Sequence, residues 1–126
     1  MHCNDENFIG FMKQNLLFHK IIEVKELDNQ TAELILDNNV ILKTCGNIGC
    51  GGCSSGWYYL THLTKSNNII TNVELVVEEV KDSSDVEERY SLFVLTEDER
   101  LNLLSYEGWD NGYYGVGFTV EVIRKE

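Results

Sequence analysis

No proline occurs among the 126 residues of this chain. Chain reversals must therefore come from Gly, Asn, Asp and Ser, which bend the backbone through small size or local side-chain bonding. No run of about 18 apolar residues occurs, so a membrane-spanning helix is not expected. Basic residues are scarce: 10 Lys and Arg stand against 21 Asp and Glu, for a net charge of −11. The basic residues are scattered singly, whereas phosphate tracking needs clustered cations, so a nucleic-acid partner is not expected. The opening residues, MHCNDENFIGF, carry acids early and lack a basic segment, so no secretory signal is expected either. The chain reads as a cytoplasmic protein with reduced thiols. No Walker loop, Gly-x-Ser-x-Gly elbow or His-Glu-x-x-His helix is present, and no nucleophile–base pair stands out. An enzyme is not the expected class.

The length suits a single domain over 1–126, with a helix and tail at 1–18 and an antiparallel β body at 20–124. Asn4 and Asp5 precede Phe8, Ile9, Phe11, Met12, Leu16 and Leu17, whose spacing predicts a short amphipathic helix over 5–17, with Gly10 weakening it. Beyond Lys20 the period changes to two. Ile22 and Val24, then Ala32, Leu34 and Leu36, then Val40–Thr44 read as three strands of a meander turning at Asp28–Gln30 and Asp37–Asn39. Trp57–Leu63, Ile69–Lys81, Arg89–Thr96, Leu101–Tyr106 and Phe118–Ile123 read as five more. Val73, Leu75, Val77 and Val80 are the expected buried side of the long one, with a bulge at Val76-Val77. The fold class is therefore α+β and mainly antiparallel, about eight strands as a meander or sandwich with one short N-terminal helix.

Two segments break this regular pattern. In TCGNIGCGGCSSGWYY, Thr44–Tyr59, three of the chain's four cysteines alternate with glycines. Cys45, Cys50 and Cys53 are spaced as thiolates that could hold zinc or an iron–sulfur cluster, with His62 as a fourth zinc ligand. Plant-type ferredoxins share that spacing but need a fourth cysteine downstream, and none follows Cys53. A reactive thiolate would need a neighbouring cation or helix N-terminus, and no sequence feature supplies one. The cysteines otherwise read as small, partly buried residues of a tight loop closed by Trp57. The adopted reading has no metal and no cofactor.

The second segment is GWDNGYYGVGF, Gly108–Phe118. Asp110-Asn111-Gly112 reads as a turn that needs positive φ. Tyr113 and Tyr114 stand beside glycines, where a ring can stack on a planar ligand while bare backbone supplies hydrogen bonds. Gly-Tyr-Tyr-Gly-x-Gly is not a dinucleotide fingerprint, because no helix follows it.

Together, the Gly/Cys/Ser segment entering an aromatic strand (Gly49–Tyr58) and the Asn-Gly-Tyr-Tyr-Gly segment (Asn111–Gly115) resemble a small family of unknown function found in bacteriophage and prophage genomes. Members often read Cys-Cys-Ser ahead of a Trp, where this chain has Cys50-Gly51-Gly52-Cys53-Ser54-Ser55-Gly56-Trp57. The resemblance covers residues 31–118 and brings no catalytic residue with it. It implies a non-enzymatic phage or prophage accessory protein, resident in the bacterial host cytoplasm and acting against host defence.

Three functions compete on these readings. In the first, the chain captures a small polar, nucleotide-derived signal through Trp57, Tyr58, Trp109, Asn111, Tyr113 and Tyr114, with Arg89 and Arg100 as phosphate partners. In the second, Glu74–Glu99 presents an acidic, nucleic-acid-like face to a host defence protein, although alternating Glu, Val and Leu also describes an ordinary solvated strand face. In the third, the cysteine loop holds a metal. The first is the adopted reading. Homo-oligomerisation through strand edges and exposed rings is open to any of them.

Overall fold

The computed structural model describes residues 1–46, 57–81, 86–109 and 117–124. A helix, α1 (Phe8–Leu16), is followed by β1 (Ile21–Glu26), β2 (Thr31–Leu36), β3 (Val40–Gly46), β4 (Tyr58–Leu63), β5 (Asn72–Lys81), β6 (Val86–Leu95), β7 (Arg100–Gly108) and β8 (Phe118–Arg124). The strands form two antiparallel four-stranded sheets, β1-β2-β3-β8 and β4-β7-β6-β5. This is the mainly antiparallel fold with one N-terminal helix that the periodicities predict.

Alternation explains the packing. Ala32, Leu34 and Leu36 of β2 are fully buried, as are Leu42 of β3, Leu92 and Val94 of β6, and Tyr106 of β7. A strand sends alternate side chains to one face, so each sheet turns a row of these residues toward the other. Burying such a side chain stabilises by about 1.5–3 kcal/mol. Phe8, Met12 and Leu16 of α1 join the same core. Phe8 meets Phe118 of β8 edge-on at 5.7 Å. The helix also packs against β5, so it spans from the edge strand of one sheet to that of the other.

A polar link crosses the core. The Tyr106 hydroxyl donates to the Gln30 carbonyl at 2.7 Å and lies 3.0 Å from the Thr44 hydroxyl. Its ring stacks on Phe118 at 5.0 Å. Burial pushes the Tyr106 phenol above its ordinary range, partly offset by the Thr44 bond.

The structure differs from the sequence expectations in four places. The helix begins at Phe8 instead of residue 5, with Asn7 as its N-cap. Asp5 accepts the Asn7 N–H at 2.9 Å, so the acid orders the turn before the helix. In β1 a register shift between Ile21 and Glu23 turns Ile21 inward and leaves Ile22 53% exposed. Val77, on the edge strand β5, is 50% exposed, whereas Val73 on the same face of that strand is buried. The bulge expected at Val76-Val77 is absent, since β5 pairs with β6 in unbroken register; the shifts fall at Leu60/His62 and Leu92/Phe93. The Val80 side chain lies outside the described residues.

Turns follow the expected chemistry. Asp28 accepts the N–H groups of Gln30 and Thr31, both at 2.8 Å. Those bonds, Gln30's first, hold its carboxyl below the usual range. Asn39 takes φ 68° in the β2–β3 turn, a conformation Asn tolerates. Phe18, just past α1, takes the same φ of 68°. For a residue with a bulky side chain this costs about 1–2 kcal/mol.

Two measurements check this account. Tyr106→Phe should lower unfolding free energy by about 1–2 kcal/mol in denaturant titration, because the Thr44 hydroxyl and Gln30 carbonyl lose a buried partner. Stability should also fall at high pH. Burial, and to a lesser degree Glu88, pushes the Cys3 thiol from 9.0 up to about 11, against the Phe118 N–H bond that favours the thiolate. The folded state thus holds that proton longer than the unfolded chain. Its contribution is whole below pH 9.0 and is lost as pH climbs toward 11. Over that window each such group costs about 1.4 kcal/mol per pH unit. Cys3→Ala should flatten the pH dependence measured by denaturation.

Candidate functional site

Both unusual segments leave from one end of the sandwich. β3 ends at Gly46, opposite Phe118, where β8 begins. β4 begins at Tyr58, opposite Gly108, where β7 ends. The roots of the cysteine loop and the aromatic loop are thus paired with each other, once in each sheet. The Trp109 N–H donates to the Trp57 carbonyl at 3.2 Å and continues the β4–β7 ladder by one step. The Asp28–Gln30 turn lies at this end too, since Gln30 accepts the Gly46 N–H at 2.7 Å.

Glycine is required at the roots for want of space. A Cβ on Gly108 would overlap the Trp57 carbonyl, and one on Gly46 would overlap the Tyr58 carbonyl. At Gly117, φ is +77° and a Cβ would strike the Cys3 sulfur. The bare backbone lets the loop roots lie flat against each other.

This close approach brings the two tryptophans together. Trp57 and Trp109 have ring centroids 4.8 Å apart at an interplanar angle of 45°. Trp57 is 41% exposed, and Trp109 is half-buried. Strand alternation places both on the outer face of their sheet, with Tyr59 and Glu107. Arg89 pairs with Glu107 across the β6–β7 ladder and bonds its carboxylate from Nε at 2.9 Å and from Nη2 at 2.6 Å. The result is an aromatic pair beside a partly exposed ion pair. The Glu107 bond raises the Arg89 pKa above its already high ordinary value, so the guanidinium stays charged.

A family model for a domain of unknown function, DUF7448, matches residues 14–120. The chain belongs to this family. No curated protein and no solved structure matches it. The DUF7448 span includes both loops and all four of their roots, so the paired-root arrangement lies within the family's domain.

The sequence-predicted residues divide into several groups. Trp57 and Trp109 meet, and Arg89 lies on the same face, close by. Tyr58 is instead fully buried, packed edge-on against Tyr90 at 5.6 Å, because the pleat turns it away from its neighbour Trp57. Arg100 lies at the far end of β7, about 30 Å from Trp109 at the rise of an extended strand. There it bonds Glu74 at 3.2 Å and lies 3.8 Å from the Phe93 ring centre. Asn111, Tyr113 and Tyr114 lie outside the described residues.

The metal candidates are also separated. Cys45 lies on the outer face of one sheet, with Thr31 as its hydroxyl partner at 3.8 Å. His62 lies on the outer face of the other sheet, its Nε2 3.1 Å from the Asn102 carbonyl. The sandwich core stands between them. Cys50 and Cys53 lie outside the described residues, and among the described residues no three His, Cys, Asp or Glu side chains cluster as a metal site. Part of the acidic stretch is bonded internally: Glu74 to Arg100, Glu88 to the Tyr90 hydroxyl at 2.8 Å.

Sequence reading missed Glu107. Its position opposite Arg89 depends on a register that periodicity does not give. Gly108→Ala should separate the tryptophans, abolish their exciton coupling in ultraviolet circular dichroism, and cost about 1–3 kcal/mol of stability by overpacking. A retained couplet would show that the roots tolerate a methyl group.

Proposed function

We propose that this protein is a non-enzymatic binding module whose loop-bearing end captures a small, ring-bearing polar ligand. The contact between Trp57 and Trp109 carries the reading. Two indoles held 4.8 Å apart at the mouths of two loops make a platform on which a planar ring can stack. Base–aromatic stacking contributes about 1–3 kcal/mol per base. Arg89 supplies a permanent positive charge on the same face. Arg89 is 40% exposed and Glu107 only 15%, so a ligand phosphate shares the guanidinium with Glu107 and does not displace it. The net charge of −11 works against anion capture at long range, which favours recognition by short-range stacking and a single local cation.

In its full form the proposal is a phage or prophage accessory protein that sequesters a nucleotide-derived defence signal in the host cytoplasm. The two loops' resemblance to a phage-associated family supports that extension.

Calorimetric and tryptophan-fluorescence titrations with cyclic dinucleotides and cyclic ADP-ribose variants test the proposal. One class should bind and quench the indoles. Trp57→Ala and Trp109→Ala should each weaken that binding about 5- to 150-fold, the equivalent of one lost stacking contact. Silence across the whole panel removes the nucleotide reading.

A further inference from the structure

The opposite end of the sandwich carries a second surface, independent of the loops. α1 ends there, followed by its C-cap Leu17 and then Phe18. The backbone of Phe18 is pinned: its N–H donates to the Ile70 carbonyl at 2.9 Å, the Ile70 N–H donates to the His19 carbonyl at 3.0 Å, and the His19 N–H donates to Leu16 at 3.1 Å. These bonds hold Phe18 at φ 68°, the position after a helix where glycine is the common choice. The chain places a phenyl ring there and leaves it 76% exposed. Strain and solvent exposure thus fall on one residue, and neither is offset by packing within the chain. Ile69, next to the Ile70 that accepts the Phe18 N–H, is 47% exposed.

Beside them runs a groove of about 370 Å³ lined by Lys20, Asn68, Ile69, Thr71, Glu97 and Asp98. Its chemistry is an apolar floor at Ile69 with an acidic rim at Glu97 and Asp98. Glu99 follows them in the chain, and Lys20 is the single cation among the described residues of the lining. A second copy of the chain would bring a net charge of −11 and a like acidic rim. Like charges disfavour that pairing, while a cationic segment is attracted.

We propose that this end is a protein-docking surface for a basic segment, with Phe18 and Ile69 as its apolar contacts. An aliphatic or aromatic side chain of the partner enters the groove against Ile69. Lys or Arg residues flanking that side chain meet Glu97 and Asp98, and the partner also contacts the exposed Phe18, which lies outside the groove's lining. The left-handed turn directs the ring outward, so the strain serves presentation of the contact. Exposed aromatics of this kind supply most of the affinity at small interfaces, and rim charges set on-rate and salt dependence.

The test uses arrayed synthetic peptides, each with one Leu or Phe flanked by Lys/Arg, by Asp/Glu or by Ser, titrated by fluorescence anisotropy at low and high salt. Basic peptides should bind, weaken at least about tenfold between the two salt conditions, and leave acidic and neutral peptides unbound. Phe18→Gly should reduce that binding at least tenfold, the scale of one hot-spot contact. The same variant should leave the denaturation midpoint unchanged or raise it, because glycine relieves the positive φ. Glu97→Gln with Asp98→Asn should remove most of the salt dependence. Four results overturn the proposal: no basic peptide binds, binding survives Phe18→Gly, Phe18→Gly destabilises the fold, or sedimentation shows a dimer that Phe18→Gly abolishes. The last would assign the face to a second copy.

Discussion

The Tyr106 hydroxyl is the contact on which the loop-bearing end depends. Two antiparallel sheets packed through apolar side chains can slide against each other, because such contacts carry little directional information. A buried hydrogen bond does carry it. Tyr106 belongs to one sheet; Thr44 belongs to the other, and Gln30 sits in the turn joining two of that sheet's strands, β1 and β2. The bond therefore fixes the sheets relative to each other two residues below Gly108 on one side and two residues below Gly46 on the other. The Gln30 carbonyl that accepts the phenol also accepts the Gly46 N–H, so one oxygen ties the turn, the core and the root of the cysteine loop. Phe118 completes the join by stacking on the same ring. The Leu60 N–H, donating to the Asn29 carbonyl at 2.7 Å, adds a second bond between the sheets at the same end.

The molecule thereby gains two ends of different character. At the first, glycines let backbones touch and the tryptophans meet above an ion pair. At the second, the helix ends, the chain turns on Asn39 and Glu97–Glu99, and apolar side chains stand in solvent. Antiparallel strands of a sandwich collect their connections at two opposite ends, so the separation follows from topology. Because the ends share only the core between them, a ligand at one and a protein at the other need not compete.

Much of this architecture was legible in the residues, and its limits have physical causes. Every strand was visible because alternation of Val, Leu and Ile with Glu, Lys and Thr reports a face. The periods failed where a bulge intervened: Ile22 and Ile21 exchange places at a register shift that no local signal announces. The sequence also showed that both loops were unusual, since glycines beside rings have few ordinary uses in a strand. It did not show that Tyr58 and Trp57, adjacent in sequence, face opposite ways from a shared starting point. Nor did it place Arg89 beside Trp109 and Arg100 far from it, because both precede or follow similar acidic turns. Cross-strand register, set by long-range pairing, decides which charge meets which. Phe18 closes the 1–18 helix-and-tail segment without a role of its own, since the apolar spacing of the expected helix ends at Leu17. An apolar residue in place of the usual helix-ending glycine was its only mark.

The two ends treat glycine in opposite ways, and that contrast bears on function. At Gly46 and Gly108 a single added carbon would collide with a carbonyl oxygen, so glycine is dictated by geometry. At position 18 the backbone takes a conformation that glycine adopts freely, yet the residue is Phe. Folding alone favours the reverse choice, because glycine would remove the steric penalty and an exposed phenyl ring besides. The residue gains little from its own chain: it is 76% exposed. A residue that opposes both local conformation and solvation is held by a contact formed outside the monomer, or it is an uncorrected cost. The ordered hydrogen bonds around it favour the former. A tolerated defect needs no support, whereas the backbone of this turn is clamped on both sides by hydrogen bonds that fix where the side chain leaves the chain.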